Sequence, residues 1–186
     1  MNLIIDLFGK PKPKNFYRQK LEWTTDFVEK NICNIEKNYS LYPYRNKWNC
    51  NVHSIHDYEN DAYSIDYKFL RKEYEKIVVK VTKKFGIKTY QLGDIWYNYY
   101  KKGQYQEPHT HLGKYNEITN KGFTAVHYLI FDPEYHFPTK FTDRRLKSLD
   151  VEVGDIIFFS NDVEHYVPKN TSNKPRLTTA FTVTSF

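Results

Sequence analysis

Apolar residues recur at helical spacing in two segments of the first half of the chain. Between residues 16 and 38, and again between 64 and 86, apolar side chains return every three or four positions among charged ones, which is typical of an amphipathic helix. These apolar positions are Phe16, Leu21, Phe27, Val28, Ile32 and Ile35 in the first segment and Tyr67, Leu70, Tyr74, Ile77, Val78 and Val81 in the second. Gly86 is a typical residue for ending the second helix. We therefore predict two helices, with loops or short strands between them.

The pattern changes to short strands from residue 89 onward. Four segments are rich in β-branched and aromatic residues and are separated by turns that contain Gly, Pro or Asn. These segments span residues 94–100, 123–131, 155–159 and 177–185. Because no helical pattern separates them, the strands favour an antiparallel barrel or jelly roll over a parallel sheet. We expect a mainly β fold in which the N-terminal helices support one sheet of the jelly roll.

The length and composition indicate one globular domain. The chain has 186 residues, of which 40% are hydrophobic and 27% charged, and its formal net charge is +6. Such a composition excludes a collagen-like or broadly disordered protein, and the length suits a single compact domain. We place this domain at residues 1–186, with a helical support region at about 1–88 and a jelly-roll core at about 89–186.

Three further features of the composition bear on partners and location. No apolar run approaches the roughly 20 residues that a membrane-spanning helix needs. The two cysteines, Cys33 and Cys50, suit reduced thiols better than a disulfide framework. The 17 tyrosines spread along the chain without a recurring basic and aromatic motif, so nucleic-acid binding is not indicated. We expect a cytoplasmic protein without a membrane partner.

Two histidines stand one residue apart in the segment Glu107-Pro-His-Thr-His111. On an extended strand alternate side chains share a face, so His109 and His111 point the same way and can occupy adjacent positions on one metal ion. A pair of this kind alone is a weak signal, and surface or hydrogen-bonded histidines in a loop would look the same. The surrounding residues must therefore decide between the two interpretations.

The other histidines favour structural roles. His127 lies next to Tyr128 in the predicted strand 123–131, so the two side chains point to opposite faces of the strand. At most one of them can face a given pocket. We predict that His127 is packed and hydrogen-bonded. The remaining histidines, His53, His56 and His136, have no partners at metal-ligand spacing.

The histidine pair belongs to a longer, ordered set of features. A strand and a glycine turn precede it, and a Tyr-Leu strand, a Gly-Asp turn with apolar residues, a distal histidine and an arginine follow. The residues concerned are Gly103, His109, His111, Tyr128, Leu129, Gly154, Asp155, His165 and Arg176. This order resembles the iron(II)- and 2-oxoglutarate-dependent oxygenase superfamily, particularly its prolyl-hydroxylase-like branch and the small oxygenase-like proteins of phage and marine bacterial genomes. The resemblance covers about residues 94–184 and implies a double-stranded β-helix, which is a jelly roll.

The resemblance also implies roles for individual residues. It makes His109 the first metal ligand and His165 the distal one, and it makes Arg176 the residue that grips the distal carboxylate of 2-oxoglutarate. Tyr128 would assist that grip, and Tyr99, ten positions before His109, would line the cosubstrate pocket. The implied cofactor is Fe(II), and 2-oxoglutarate is the small-molecule cosubstrate. The chemistry is consistent, because a guanidinium binds a carboxylate through two parallel charge-assisted hydrogen bonds.

Strand alternation supports the role of the arginine independently. If residues 176–184 form a strand, Arg176 shares one face with small side chains, at Thr178, Ala180 and Thr182. A charged residue on such a face leaves room for the tail of a ligand. The alternative is that Arg176 merely begins the strand at a solvated turn.

One position departs from the family pattern. The second metal ligand of the family is normally a carboxylate, and this chain has His111 there. Three interpretations follow: a three-histidine iron site of the kind found in thiol dioxygenases, a carboxylate supplied instead by Glu107, or weak metal binding with loss of catalysis. We prefer the first, in which His109, His111 and His165 hold the metal.

A cupin is the rival family. Gly103, five residues and then His109 and His111 also match the start of the cupin motif. Glu117, however, lies one or two positions beyond the cupin spacing, and the second cupin signature is missing around His165. Because cupins share the jelly roll, this alternative changes the chemistry more than the architecture.

The preferred interpretation is an Fe(II)- and 2-oxoglutarate-dependent dioxygenase that acts by hydroxylation, in the host cytoplasm if the protein is phage-encoded. The alternative is a cupin-like metal-binding or non-catalytic jelly-roll binding module. A peptidyl side chain, a free amino acid or a nucleobase would all suit as primary substrate.

Overall fold

The computed structural model describes residues 16–42, 50–59, 63–111, 122–143 and 149–185. Within these residues two helices and nine strands follow one another along the chain. In order they are β1 (Tyr17–Lys20), α1 (Thr24–Leu41), β2 (His53–His56), α2 (Tyr67–Phe85), β3 (Tyr90–Tyr100), β4 (Gln106–His109), β5 (Gly122–Ile130), β6 (Lys140–Phe141), β7 (Asp155–Ser160), β8 (His165–Val167) and β9 (Arg176–Ser185). The mainly β composition with helices near the N-terminus is the fold class that the sequence predicted.

The strands form two antiparallel sheets. The large sheet has six strands in the order β1-β7-β5-β9-β3-β2, and the small sheet has three in the order β4-β8-β6. Neighbouring strands in each sheet are far apart in sequence, as in β3 beside β9 and β4 beside β8. In this order the long strands β5 and β9 lie at the centre of the large sheet, where they are buried on both faces.

The helices cover one face of the large sheet. Their apolar residues form a buried cluster with the side chains on that face, including Leu70, Tyr74 and Val78 of α2 against Tyr97 and Phe181 of the sheet. The other face of the large sheet turns toward the small sheet and carries a second buried cluster. None of the helices in the described part of the chain is long and apolar enough to span a membrane.

The ends of α2 follow the local sequence signals. The Asp66 side chain accepts a hydrogen bond from the backbone N–H of Phe69 at 2.9 Å, which is a helix N-cap. Gly86 ends the helix with φ of 72°, a left-handed conformation that glycine adopts without steric cost. The predicted helix stop at Gly86 is therefore confirmed.

The first helix is shorter than the sequence predicted. It begins at Thr24, and the residues before it form strand β1, which pairs with β7 at the edge of the large sheet. Tyr17 packs on Phe158 with ring centroids 5.9 Å apart, and the backbone N–H of Leu21 donates to the carbonyl of Gly154. These contacts extend the sheet by one strand, and no local periodicity in the sequence reveals them.

His127 lies between the helices and the large sheet. It is fully buried, and its two ring nitrogens contact the hydroxyl groups of Thr24 and Tyr74, each at 2.8 Å. Its side chain thus points away from the face that Tyr128 occupies. The prediction of a packed, hydrogen-bonded histidine is confirmed.

Candidate functional site

Three histidines converge between the two sheets. His109 ends β4, His165 begins β8, and the two form a cross-strand pair. His111 follows β4 by two residues, and its backbone N–H donates to the carbonyl of Asn161 at 3.0 Å, which holds it beside them. One ligand nitrogen from each residue lies within 4.8 Å of the other two. The geometry brings the three predicted metal ligands into one cluster, which we call the histidine cluster.

Backbone contacts orient two of these rings. The Nδ1–H of His109 donates to the carbonyl of Glu107 at 2.7 Å, and that of His165 donates to the carbonyl of Val163 at 3.0 Å. In both rings Nε2 is therefore the nitrogen that carries no hydrogen. Metal-binding histidines are commonly oriented by hydrogen bonds of this kind from the other ring nitrogen.

Burial keeps the histidine cluster uncharged. It lowers the pKa of His165 to about 3, and it lowers the pKa of His111 well below its usual value. The pKa of His109 is also lowered, mainly by burial. Neighbouring rings add to the effect for His111 and His165, because one positive imidazolium disfavours the next. The neutral imidazole is the form that binds a metal ion.

Arg176 is a buried cation for which the described residues provide no carboxylate partner. Only 2% of it is exposed, and its Nε and Nη1 atoms have no hydrogen-bond partner. Its Nη2 atom lies 3.5 Å from Thr139 Oγ1, and its guanidinium lies 4.9 Å from the centre of the Tyr100 ring and 5.4 Å from that of Tyr128. No carboxylate of the described residues forms an ion pair with it. A buried, unpaired cation is unfavourable, so this arrangement fits a site that receives an anion.

Arg176 and the histidine cluster line the same cavity. The cavity opens between the sheets and is lined by Trp96, Asn98, Tyr100, Gln106, His109, His111, Val126, Thr139, His165, Val167, Arg176, Thr178 and Ala180. Cross-strand pairing orders these residues along the cavity. Arg176 lies opposite Tyr100, whose hydroxyl donates to Gln106 Oε1 at 3.0 Å, whereas Trp96, opposite Ala180, has its ring 5.5 Å from that of His111. Arg176 therefore lies toward one end of the cavity and His111 toward the other.

The face predicted for the last strand lines this cavity. Thr178 and Ala180 lie beside Arg176 on the cavity side, as alternation required. Tyr128 shares this face, because it pairs with Thr178 across the strands, and its hydroxyl oxygen accepts a hydrogen bond from the backbone N–H of Thr139 at 3.1 Å.

Tyr99, which we predicted to line the cosubstrate pocket, is not among the residues that line the cavity. Its hydroxyl donates to Glu36 of α1 at 3.4 Å, and its ring lies edge-on to that of Tyr39 at 5.4 Å. The next residue, Tyr100, faces the cavity instead. Side chains one residue apart on a strand lie on opposite faces, so Tyr99 and Tyr100 point to opposite sides of the large sheet.

Glu107 does not join the histidine cluster. It is exposed, and in the described chain the group of side chains able to hold a metal comprises the three histidines without a carboxylate. Strand alternation would place Glu107 on the same face as His109, but the register of β4 shifts between Gln106 and His109, which is a β-bulge. As a result Gln106, rather than Glu107, faces the cavity. Glu117, which the cupin alternative needs, lies outside the described residues.

The remaining histidines lie outside the histidine cluster. The ring of His53 contacts the carbonyl of Tyr42, and that of His136 contacts the backbone N–H of Asp132 and the carbonyl of Lys174. Sequence reasoning missed several cavity residues, namely Trp96, Asn98, Tyr100, Gln106, Val126, Thr139 and Val167. The sequence shows that Trp96, Asn98 and Tyr100 share one face of their strand. It does not show whether that face lines the cavity, because this depends on the pairing of β3 with β9.

No protein-family model and no curated protein matches the sequence. Solved structures, in contrast, match over nearly the whole chain. A viral collagen prolyl hydroxylase from Paramecium bursaria Chlorella virus-1, in complex with 2-oxoglutarate, is 14% identical, with a TM-score of 0.63 over 92% of this chain and 97% of that one. A Pseudomonas putida prolyl-4-hydroxylase is 12% identical, with a TM-score of 0.64 over 92% of each chain. HygX from Streptomyces hygroscopicus, with nickel and 2-oxoglutarate bound, is 15% identical, with a TM-score of 0.64 over 92% of this chain and 83% of that one. These similarities establish that the chain has the double-stranded β-helix fold of such oxygenases.

Proposed function

We propose that this chain is an Fe(II)- and 2-oxoglutarate-dependent oxygenase that hydroxylates its substrate. The observation that supports this most strongly is the presence of a buried, unpaired Arg176 in the same cavity as the histidine cluster. A cavity that only held a metal ion would gain nothing from a buried cation. A ligand that chelates the metal at one end and carries a carboxylate at the other uses both features.

The donor set fits the proposed metal ion. His109, His111 and His165 offer three neutral imidazole nitrogens, and imidazole is a suitable ligand for iron. Three protein ligands leave coordination positions for other molecules, whereas structural metal sites are usually closed by four. When bound, iron and 2-oxoglutarate together would supply the oxidising chemistry that protein side chains lack.

The other cavity residues would bind and orient the cosubstrate. Arg176 would hold the distal carboxylate through two parallel hydrogen bonds, donated by the Nε and Nη groups. Burial raises the pKa of Tyr100 far above its usual value, so its hydroxyl stays protonated and neutral beside the guanidinium. Tyr128 supports the same end of the cavity, because its hydroxyl fixes the backbone of Thr139. The viral hydroxylase and HygX, which share the fold, are proteins that bind 2-oxoglutarate.

The primary substrate would approach from the His111 end of the cavity. There the lining is formed by Trp96, Val126 and Ala180, whose apolar surfaces exclude water from the reacting groups. We retain a peptidyl side chain, a free amino acid and a nucleobase as substrate classes. Cys33 and Cys50 are not joined in a disulfide, which together with a ferrous site suits the reducing cytoplasm.

A metal-binding module without oxygenase activity is the second candidate. The observation that favours it is His111, which replaces the carboxylate ligand usual in oxygenases of this type. The two candidates differ in one respect that is easily measured, since only the oxygenase needs to bind a 2-oxo acid at the metal.

Anaerobic titration with Fe(II) followed by 2-oxoglutarate tests the proposal. We expect a visible metal-to-ligand charge-transfer band to appear only when both are present, and succinate to form when oxygen is admitted. The 2-oxoglutarate analogue that lacks the 2-oxo group, glutarate, is the control and should give no band. If Fe(II) binds but 2-oxoglutarate produces neither band nor heat, the chain is a metal-binding module and the oxygenase proposal fails.

A further inference from the structure

Two segments without regular secondary structure meet at Arg176. Residues 168–175 lie between β8 and β9 and lead directly into Arg176, the first residue of β9. Residues 131–139 lie between β5 and β6 and end at Thr139, whose Oγ1 atom is 3.5 Å from the Nη2 atom of Arg176. Neither segment belongs to a described strand of the two sheets. The position of the guanidinium therefore depends on bonds other than those of a sheet.

The side chain of His136 joins these two segments. Its Nδ1 atom lies 3.0 Å from the backbone nitrogen of Asp132, and its Nε2 atom lies 3.1 Å from the carbonyl oxygen of Lys174. A backbone N–H can only donate and a carbonyl oxygen can only accept, so Nδ1 carries no hydrogen and Nε2–H donates. The ring, which is 5% exposed, thus forms a buried bridge between the segment that ends at Thr139 and the turn that precedes Arg176.

The charges around His136 favour the neutral ring that this bridge requires. Burial lowers the pKa of His136, and the positive charges of Arg176 and Lys174 lower it further. The hydrogen bond to the carbonyl of Lys174 and the carboxylate of Asp132 oppose this shift without reversing it. Asp132 and Lys174 also form an ion pair with each other at 2.9 Å, which partly offsets both charges. The Nδ1 atom therefore remains an acceptor in the folded protein at neutral pH.

A second side chain holds the same turn. The Nδ2 atom of Asn170 donates to the carbonyl of Lys174 at 2.9 Å and to the carbonyl of Tyr100 at 3.1 Å. The carbonyl of Lys174 thus accepts from both His136 and Asn170, two residues before Arg176 begins β9. The turn is tied to β3 by Asn170 and to residues 131–139 by His136.

We propose that His136 is a positioning residue for Arg176, which it holds in the orientation that receives the distal carboxylate of 2-oxoglutarate. This inference rests on the proposed function and adds to it a residue remote from both ligands. His136 is not among the residues that line the cavity, so its effect passes through Arg176 and Thr139, which do line it. A guanidinium that is already oriented loses less conformational entropy when it binds a carboxylate.

A comparison of 2-oxoglutarate with pyruvate isolates the contribution of Arg176. Both are 2-oxo acids that can chelate a metal ion in the same way, but pyruvate has no distal carboxylate. We define the discrimination factor as the dissociation constant of pyruvate divided by that of 2-oxoglutarate, each measured on the Fe(II)-loaded protein without oxygen. A change at the metal affects both constants and cancels, so the factor reports on binding of the distal carboxylate.

Three substitutions separate the two hydrogen bonds of His136. His136→Phe removes both bonds and keeps a ring of similar size. His136→Asn keeps an acceptor near the position of Nδ1, and His136→Gln keeps an N–H donor near that of Nε2. Because the bond to Lys174 joins the two segments and the bond to Asp132 lies within one, His136→Gln should retain more of the effect than His136→Asn. The matched control is His127→Asn, since His127 is also a buried histidine with two hydrogen bonds, on the helical side of the large sheet.

We expect the wild type to have a discrimination factor of at least about 30, the lower end of what a buried charge pair contributes. His136→Phe should lower the factor by about 3- to 10-fold, which corresponds to one hydrogen bond, and should leave the affinity for pyruvate unchanged. His136→Gln should restore most of the factor. His127→Asn should leave it at the wild-type value, although thermal unfolding shows a loss of stability. In an Arg176→Ala background His136→Phe should have no further effect, because the residue through which it acts is gone.

The possible failures of the inference and of the proposed function are distinguishable. A wild-type discrimination factor in His136→Phe would overturn the inference and leave the proposed function intact, as would the same fractional loss in the Arg176→Ala background. If His136→Phe does not fold, equal factors in His136→Asn and His136→Gln would overturn the inference instead. Absence of 2-oxoglutarate binding to the Fe(II)-loaded wild type would overturn the proposed function, and the inference with it.

Discussion

At the residue scale, the environment of Arg176 constrains the function most. Long cationic side chains are rarely buried without a partner, because desolvation of the charge is costly. Here the guanidinium is 2% exposed and contacts two aromatic rings and a hydroxyl group instead of a carboxylate. Arg176 is the first residue of β9 and lines the same cavity as the histidine cluster.

Replacement of Arg176 should therefore act on cosubstrate affinity. Arg176→Ala should weaken 2-oxoglutarate binding to the Fe(II)-loaded protein by about 2–5 kcal/mol, the usual cost of removing one partner of a buried charge pair. Arg176→Lys should recover only part of this, because an ammonium cannot form the two parallel hydrogen bonds. Anaerobic calorimetry measures both, with Arg18→Ala as a control at a partly exposed arginine on the sheet edge. Wild-type affinity in Arg176→Ala would refute the assignment of the distal carboxylate to this residue.

At the scale of the elements, the pairing of β3 with β9 determines which side chains meet in the cavity. The register places Tyr100 opposite Arg176, Asn98 opposite Thr178 and Trp96 opposite Ala180. The intervening residues of β3, Tyr97 and Tyr99, belong to the buried cluster beneath the helices. The strand therefore contributes to the site and to the core on alternate residues.

This alternation predicts opposite results for two neighbouring tyrosines. Tyr100→Phe removes the hydroxyl group that contacts Gln106 beside Arg176, and it should weaken 2-oxoglutarate binding by about 0.5–1.5 kcal/mol, the value of one hydrogen bond. Tyr99→Phe removes only a hydroxyl group that contacts Glu36 on the helical side, and it should leave that affinity unchanged. The same titration measures both variants. A larger loss in Tyr99→Phe would mean that β3 presents its other face to the cavity.

At the scale of the whole molecule, a buried polar contact joins the helices to the large sheet. His127 of β5 contacts Thr24 of α1 and Tyr74 of α2, and the Tyr74 hydroxyl group also contacts Thr179 of β9. Burial lowers the pKa of His127 to about 3, so the ring is neutral in the folded protein at neutral pH. The unfolded chain, with a histidine pKa of about 6.5, binds this proton more readily.

Stability should consequently fall as the pH is lowered from about 6.5 toward 3. In this window the unfolded state binds more protons than the folded state, so the free energy of unfolding decreases by about 1.4 kcal/mol per pH unit for each such histidine. The histidine cluster adds to the slope in the metal-free protein, because its pKa values are lowered too. His127→Asn should reduce the slope by that amount between pH 4 and 6, as measured by urea denaturation. An unchanged slope would show that His127 does not titrate on unfolding.

Local sequence patterns alone determined the main elements. Apolar periodicity identified α2 and the long strands β5 and β9, because one side of each element must be buried. The end of α2 at Gly86 could be predicted without knowledge of the tertiary structure, since it depends on the conformational freedom of one residue. The order of His109, His111, His165 and Arg176 predicted a metal and carboxylate site through its resemblance to a known oxygenase family, not through spacing alone.

Tertiary structure decided the features that depend on pairing between distant segments. Strand β1 and the three short strands of the small sheet have too few residues to show a period, and their partners lie far along the chain. The bulge in β4 excluded Glu107 and turned Gln106 inward, and the register of β3 on β9 selected Tyr100 over Tyr99. The sequence also did not show that the described residues leave Arg176 without a carboxylate partner. A side chain's partners are set by the packing of separate strands, which local sequence does not encode.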